Sequence, residues 1–394
     1  MNADAATAVI LAAGEGRRLE PLTNRRPKPM VPVANRPLLE HVIEAVVAAD
    51  IERIVLVVGY KQERIRNHFG DGDGWDVRIE YVEQSTQLGT GHAVLQAEPV
   101  IDGPFVLLNG DRVVDAEAVA AVRHRLRDGD APVMTVTSVE TPRDYGVVKL
   151  DGNRVTEINE KPEGPVETNR INAGVYGFSS AIFDAIRGTN TPGELTITGT
   201  LNEVAERHGV TGLSYDGRWL DVSNLWDVLT VNAALIHESD YVHDASEANR
   251  QVGEGVTVTD DVILAGNVRV GPTATLSGAT AIGSNVSVGA NAVVENSVVL
   301  PDAVIEPGAV VRDAVIAENA HIGSNATIAG GAPTMVVGDV VHRDVDLGGV
   351  VGDNASIGIG ATLTGGAVVG DGARTDAGVI IDGRIESDAV VRRG

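Results

Sequence analysis

Gly14 and Gly16 stand directly after the apolar run Thr7 to Ala13, with Arg17 next and Lys28 framed by Pro27 and Pro29. An apolar run of this kind makes a buried parallel strand. Glycines at its end let the backbone turn sharply and come close to a ligand. Backbone N–H groups at such a turn, with an arginine and a lysine nearby, suit a triphosphate. The stretch is not a Walker phosphate loop, because no Gly-Lys-Ser/Thr closes it. Nor is it a dinucleotide fingerprint, which needs a third glycine opening a helix, and Pro21 interrupts any helix there.

These residues need a scaffold. Along residues 1–235, strand-like and helix-like patterns alternate, the mark of an α/β domain with a mostly parallel sheet. Strands are predicted at Thr7 to Ala13, Ile54 to Val58, Val77 to Val82, Phe105 to Leu108 and Val133 to Val139. Helices are predicted from Pro37, over Gln62 to Phe69, over Thr90 to Ala97 and over Ala116 to Leu126. Ligands in such sheets bind at the carboxyl ends of the strands. Gly14-Glu15-Gly16, the Gln84 to His92 stretch and Asn109-Gly110-Asp111 all lie there.

A helix over Leu225 to His237 leads into a linker at 236–250, and the composition then changes. No Phe, Trp or Tyr follows Tyr241, and no lysine follows Lys161. Val252, Val258, Leu264, Val270, Leu276, Ile282, Val288, Val294 and Leu300 recur every sixth residue without a break. The register slips near Pro301 to Ile316 and returns as Val351, Ile357, Leu363 and Val369, with Ile381 two periods on. One aliphatic residue in six points into each face of a triangular coil, and Ala274, Ala279 and Ala292 fill its tight corners. Residues 251–394 therefore resemble the hexapeptide repeats of a left-handed parallel β-helix, with Ala329 to Asp344 protruding as a loop.

Composition narrows the function. The chain has 394 residues, enough for two or three domains, and no cysteine, which excludes disulfides and thiolate metal sites. No apolar run reaches the ~18 residues of a membrane span, and no signal-peptide pattern opens the chain, which predicts a cytoplasmic protein. A net charge of −24 and a pI of about 4.7 argue against nucleic acid or an anionic membrane as partner. Val9 to His41 reverses that balance, with six Arg or Lys against three Glu. Abundant acids with only four lysines, Lys28, Lys61, Lys149 and Lys161, resemble proteins of salt-loving organisms.

Read in order, the Gly14 to Thr23 turn with its Pro-Leu-Thr, then Pro-Lys-Pro-Met and Pro-Leu-Leu-Glu-His, strongly resembles the signature of the sugar-1-phosphate nucleotidylyltransferases. The resemblance covers about residues 5 to 235, and a β-helical tail is common in that family. It is similar to archaeal glucose-1-phosphate thymidylyl- and uridylyltransferases and to bifunctional enzymes that make UDP-N-acetylglucosamine. It implies a Rossmann-like nucleotidyltransferase domain that joins a sugar 1-phosphate to a nucleoside triphosphate and releases pyrophosphate. The implied catalytic cations are Arg17, Lys28 and Lys161, and the implied nucleotide-binding residues are Leu11, Ala12, Gly14, Gly16, Gln84, Gly89 and Thr90. Gln84 carries an amide that can read uracil or thymine. Gly146, Glu160 and Asn172 match the sugar-phosphate positions. Asp111 and Asp221 match the magnesium ligands, and two carboxylates suffice for an ion that also takes phosphate oxygens and water. Arg18, Arg25, Arg26 and Arg36 are expected in solvent, and His92 in a structural helix role. The Gln84 stretch points to UTP and Asp221 to dTTP, so the expected substrates are either triphosphate with glucose 1-phosphate or its N-acetylated amine.

Some relatives also move an acetyl group from acetyl-coenzyme A to an amino-sugar phosphate, which needs a base. His321 and His342 are the histidines of the repeat domain, but the tyrosine and lysines expected nearby are missing. A structural coil that forms a homotrimer or homotetramer is the expected role. A further reading is a non-catalytic binding module, like the translation-initiation-factor subunits of this architecture. Arg17, Lys28, Asp111 and Asp221 argue against it.

Overall fold

The computed structural model describes residues 7–190, 193–238, 249–338 and 340–393. The middle of the expected linker therefore lies outside the described residues. The chain forms two compact units. The first comprises Met1–Glu15, Pro27–Met30 and Leu38–Asp221; the second comprises Gly16–Arg26, Val31–Pro37 and Val222–Gly394. Among the described residues no helix is long and apolar enough to cross a membrane.

The first unit is built on a nine-stranded mixed sheet. Its parallel half uses β1 (Thr7–Ala12), β2 (Arg53–Val58), β3 (Arg78–Glu83) and β4 (Phe105–Asn109). They lie in the order β3-β2-β1-β4, with Thr7 opposite both Arg53 and Phe105. Neighbouring strands on both sides and helices on both faces bury β1 except at Leu11, so residues 8–12 are apolar throughout rather than alternating. Ala8, Ile10 and Ala12 point into one core, and Val9 and Leu11 into the other.

Helices cover both faces. Leu38–Ala48, Gln62–Phe69 and Ala116–Arg127 pack on the first core, and Thr90–Ala97, Ala181–Gly188 and Ile197–Arg207 on the second. Pro37 itself pairs with Pro32 in a short strand, so the first helix starts one residue later than its sequence pattern implies. The order of the strands reverses between β1 and β4, so their carboxyl ends form the crevice where sheets of this kind bind ligands.

The second unit is a stack of short parallel strands in three sheets of eight, seven and seven, the architecture of a left-handed β-helix. Its core is the expected column of Val, Ile and Leu with Ala at the corners. The repeat breaks earlier than the sequence pattern indicates. Ile282 pairs with Val299, not with Leu300, and Val299 then pairs with Ile316. Leu300 is buried, but outside the coil core. A Val-Val-Leu run hides such a slip, since either neighbour can fill an inward position. The expected protrusion contains an antiparallel hairpin, Met335–Val337 with Val340–His342.

The helix Asp227–His237 belongs to this unit and lies against one sheet of the coil. It starts at Asp227 rather than Leu225 because the Asp227 carboxylate accepts the N–H groups of Ser223 and Asn224. Asn232 ties it down, donating to the Ala279 carbonyl and accepting from the Ala34 N–H. One expected surface charge is also misplaced by sequence reasoning: Arg26 is 1% exposed. Its guanidinium meets Asp353 at 2.9 and 3.0 Å, so burial is matched by an ion pair.

Candidate active site

A cavity of about 350 Å³ opens at the carboxyl ends of β1 and β4. Leu11 near the end of β1, Ala13 and Gly14 just after it, Asn109 at the end of β4 and Asp111 and Arg112 beyond it line the cavity. The two strand ends are joined by the Gly110 N–H, which donates to the Leu11 carbonyl at 2.9 Å. A side chain at Gly110 would meet that carbonyl at 2.8 Å, so the approach requires glycine. Gly14 has open space where a Cβ would project. Ala12 turns its side chain into the core away from the cavity.

Gln84, Gly89 and Thr90 line the same cavity. The Gln84 amide nitrogen donates to the Gly89 carbonyl at 3.2 Å and lies 3.0 Å from His92 Nδ1, so His92 orients the amide. Gly89 has φ of 103°, and a Cβ there would sit 2.5 Å from the Leu195 carbonyl oxygen. The close approach is therefore to residues 194–196, whose Glu194 and Thr196 complete the wall. Thr90 Oγ1 accepts the Ile197 N–H at 3.0 Å, tying the helix Ile197–Arg207 to this loop.

Lys28 enters the cavity from the first unit's short Pro27–Met30 segment. Its Nζ lies 2.6 Å from Asp111 Oδ2 and 3.9 Å from Asp221 Oδ1. Backbone register explains the meeting. The strand Trp219–Asp221 pairs with Arg112–Val114 and puts Asp221 opposite Arg112, next to Asp111. Arg112 Nε is 3.8 Å from Asp221, so two cations alternate with two carboxylates. Burial works against the charge on Lys28, but Asp111 and Asp221 outweigh it and hold its pKa above the usual lysine value. Burial works equally against the Asp111 carboxylate, and Lys28 and Arg112 keep it below the usual range. Lys28, Arg112 and Asp111 stay ionised.

A second group gathers beside Arg112. A Cβ at Gly146 would lie 2.8 Å from Glu160 Oε2 and 3.7 Å from the Asn172 side chain, so the three residues are adjacent. Asn172 donates to the Tyr176 hydroxyl at 2.6 Å and accepts the Gly174 N–H at 3.0 Å. Burial drives the Tyr176 phenol up to about 12, which keeps it neutral. Arg112 donates to the Asn172 carbonyl at 3.2 Å and lies over Trp219 and Tyr145, with centroids 5.5 and 5.9 Å away. Lys161 follows Glu160 in a left-handed conformation, its N–H on the Tyr145 carbonyl at 3.0 Å, and its side chain is exposed.

The first unit thus brings together Leu11, Gly14, Lys28, Gln84, Gly89, Thr90, Asp111 and Asp221. Gly16 and Arg17 belong to the other unit, where Gly16 is left-handed and opens the turn Arg17–Leu19. Sequence reasoning missed Arg112, although it directly follows Asp111 at a strand end. It also missed Gln87, whose amide donates to the Ala13 carbonyl at 2.8 Å, and Glu194 and Thr196, which reach the site only through folding.

Comparison with known proteins agrees with this geometry. The profile of the nucleotidyl transferase family matches residues 7–238. The chain belongs to that family. A second profile, the GMPPB C-terminal domain, matches residues 258–347. The chain is 34% identical over 261 residues to the bifunctional protein GlmU of Methanococcus maripaludis, covering 65% of this chain and 60% of that protein. It thus spans about 60% of the length of such GlmU relatives. It is 33% identical over 274 residues to the low-salt glycan biosynthesis nucleotidyltransferase Agl11 of Haloferax volcanii, covering 68% of this chain and 73% of that one. A crystal structure of a putative glucose-1-phosphate thymidylyltransferase from Bacillus anthracis, bound to sucrose, superposes with a TM-score of 0.55 at 26% identity. That match covers 58% of this chain and 95% of the other.

Proposed function

We propose that this nucleotidyltransferase joins a pyrimidine triphosphate, UTP or dTTP, to glucose 1-phosphate or N-acetylglucosamine 1-phosphate. The reading is carried by Lys28, Asp111 and Asp221 meeting at the wall of a cavity that also holds Gln84, Gly89 and Thr90. A phosphate oxygen of the sugar phosphate bonds to the α-phosphorus. The bond from that phosphorus to the α–β bridging oxygen breaks, and pyrophosphate leaves with its electron pair. The attacking oxygen is already ionised at neutral pH, so the chain supplies alignment and charge rather than a base.

In this reading the Gln84 amide and the Gly89 backbone receive the base, and the turn from Leu11 through Ala12 and Gly14 to Gly16 receives the phosphates. Lys28 and Arg17 offset charge as pyrophosphate departs. Gly146, Glu160 and Asn172 hold the sugar, and Lys161 its phosphate. Asp111 and Asp221 both reach one cation, the Lys28 ammonium, and among the described residues no third His, Cys, Asp or Glu joins them. Two hard carboxylates with room for phosphate oxygens and water fit magnesium. Held by Asp111 and Asp221, that ion would supply Lewis acidity. Acidic, lysine-poor composition, together with the Haloferax relative, supports a salt-adapted enzyme.

A matrix of triphosphates against sugar 1-phosphates, with magnesium in molar salt and scored for pyrophosphate, tests the proposal. Turnover confined to pyrimidine triphosphates is expected. No turnover across the panel overturns it and favours a binding module. A second reading, acetyl transfer by the β-helix, rests on one observation. His321 Nε2 lies 2.9 Å from Glu306, whose other oxygen accepts from Ser324, so the imidazole is oriented as a base would be. His342 instead packs on Trp226. Free thiol released from acetyl-coenzyme A with glucosamine 1-phosphate decides this, and sedimentation decides the proposed homo-oligomer.

A further inference from the structure

The stretch Gly16–Arg26 and the β-helix belong to one unit, and a buried ion pair joins them. Arg26 Nη2 reaches both oxygens of Asp353 and lies 3.1 Å from Glu318. Asp353 is also 1% exposed, and its Oδ1 accepts the Glu318 N–H at 2.9 Å. Its own N–H donates to Asp371 at 2.9 Å, and Arg25 Nε lies 3.8 Å from the other Asp371 oxygen.

The strand register shows how these acids are arranged. Ile282, Val299, Ile316, Val351 and Val369 occupy one position on successive coils. Two residues further on stand Ser284, Pro301, Glu318, Asp353 and Asp371. Three successive coils thus stack a carboxylate at one corner, while the two coils before them place a neutral residue there. Coils repeat at the spacing of paired strands, about 4.8 Å, so like charges at this corner repel. Backbone N–H groups of adjacent coils satisfy some of these oxygens, and Arg25 and Arg26 supply the cations that offset the repulsion.

A buried ion pair is a weak source of stability, since an apolar pair of similar size often does as well, and its best-attested use is to fix register. Here the register that matters is the chain's own. Lys28 follows Arg26 by two residues, a tether of about 7 Å at most. At the other end Thr23 Oγ1 donates to the Gly16 carbonyl at 2.9 Å, closing the stretch on itself. Anchoring Arg26 therefore restricts both Lys28 and the Gly16 turn.

We propose that Arg26 is a positioning residue, held by Asp353 and Glu318 of the β-helix, that sets Lys28 and the phosphate-binding turn. The proposal rests on the nucleotidyltransferase reading above. It gives the coil a task in the transfer reaction itself, separate from acetyl transfer or assembly.

The test compares the full chain with Asp353→Asn, Asp353→Glu and Glu318→Gln, by steady-state kinetics and by amide exchange. In Asp353→Asn, KM for the triphosphate rises about tenfold or more, KM for the sugar phosphate stays within twofold, and exchange over residues 16–30 quickens about tenfold. Exchange in strand Thr7–Ala12 stays unchanged. Asp353→Glu, which keeps the charge, recovers part of both effects. If Asp353→Asn does not fold, the half-buried Glu318→Gln gives the same selectivity at about threefold. Loop exchange and triphosphate KM both within twofold of wild type overturn the proposal. So does a fall in thermal midpoint with both KM values unmoved, which marks the pair as structural only. If the wild-type chain itself shows no turnover, the functional reading has failed, and the exchange of residues 16–30 alone decides whether the anchor exists.

Discussion

Replacing Lys28 with methionine separates the chemistry of the cation from its part in the fold. Its Nζ meets Asp111 at 2.6 Å and Asp221 at 3.9 Å, and the side chain is 14% exposed. Removing one preorganised group that meets charge developing in a transition state costs roughly 10²- to 10³-fold in turnover, about 2.7–4 kcal/mol. The fold loses something different. In Lys28→Met the two carboxylates keep Arg112, whose Nε is 3.8 Å from Asp221. Stranding buried polar groups costs roughly 1–3 kcal/mol, and the remaining arginine puts the loss at the lower end. Adding Asp111→Asn removes the stranded charge. The double variant should therefore regain most of the lost stability while staying inactive. Pyrophosphate release at saturating substrates and a thermal melt in molar salt measure the two effects. Turnover of Lys28→Met within threefold of wild type would refute the assignment. Recovery of activity along with stability in the double variant would refute it too, because Lys28 would then serve the fold alone.

Arg112→Met removes a charged donor from the Asn172 carbonyl and a partner from Asp221. A loss of roughly 1.5–3 kcal/mol should appear as a fall of about ten- to a hundredfold in kcat/KM for the sugar phosphate, and a change under threefold contradicts the role. Gly89→Ala forces a side chain into a left-handed site 2.5 Å from the Leu195 carbonyl. It should destabilise by roughly 1–3 kcal/mol and raise the triphosphate KM; an unchanged urea midpoint counts against the geometry. Ser324 and then His321 hold the Glu306 carboxyl below its usual range. Its contribution is therefore present above the ordinary glutamate pKa and disappears as pH falls through the lowered one. The thermal midpoint of Glu306→Gln should lie below wild type at pH 6 to 8 and converge with it in acid. With a net charge of −24, the chain should lose its folded circular dichroism in low salt and recover it in molar salt; full folding without salt removes the salt-adapted reading.

Much of this was readable in the sequence because the physics there is local. A fully buried parallel strand must be apolar on both faces, so Thr7–Ala12 and Phe105–Asn109 announce themselves, and their ends locate the crevice. A coil with one inward position in six writes its period into the chain, and sets its aromatic content near zero. What stayed hidden depends on contacts between distant residues. Arg26 looks like surface charge until Asp353 is folded against it. Glu194 and Thr196 carry no spacing signal, because only the close pairing of Leu195 with Leu88 and Gly91 brings them to the wall. Val299 and Leu300 are equally apolar, so only strand pairing shows which one turns inward.

Under the proposed function, the charges at the site account for how an acidic chain would receive a triphosphate without a large basic surface. Lys28 and Arg112 are the cations of the ion cluster, and Asp111 and Asp221 match them one for one. The cluster is thus nearly neutral before substrate arrives. It offers ordered dipoles and paired charges in a partly dry cavity, where each interaction is stronger than in water. A triphosphate entering such a site cannot draw its whole counter-charge from the side chains of the cluster. The remainder comes from Arg17, from a divalent ion arriving with the nucleotide, or from salt. Under the proposed function, an Asp111 carboxylate held ionised beside Lys28, with Asp221 next to it, favours a metal–nucleotide complex over the free nucleotide. Isothermal titration can check the point directly. UTP with magnesium should bind at least tenfold more tightly than UTP in chelator, and Asp221→Asn should remove most of that difference. Equal affinity in the two conditions would mean that protein cations alone, Arg17 among them, carry the phosphates.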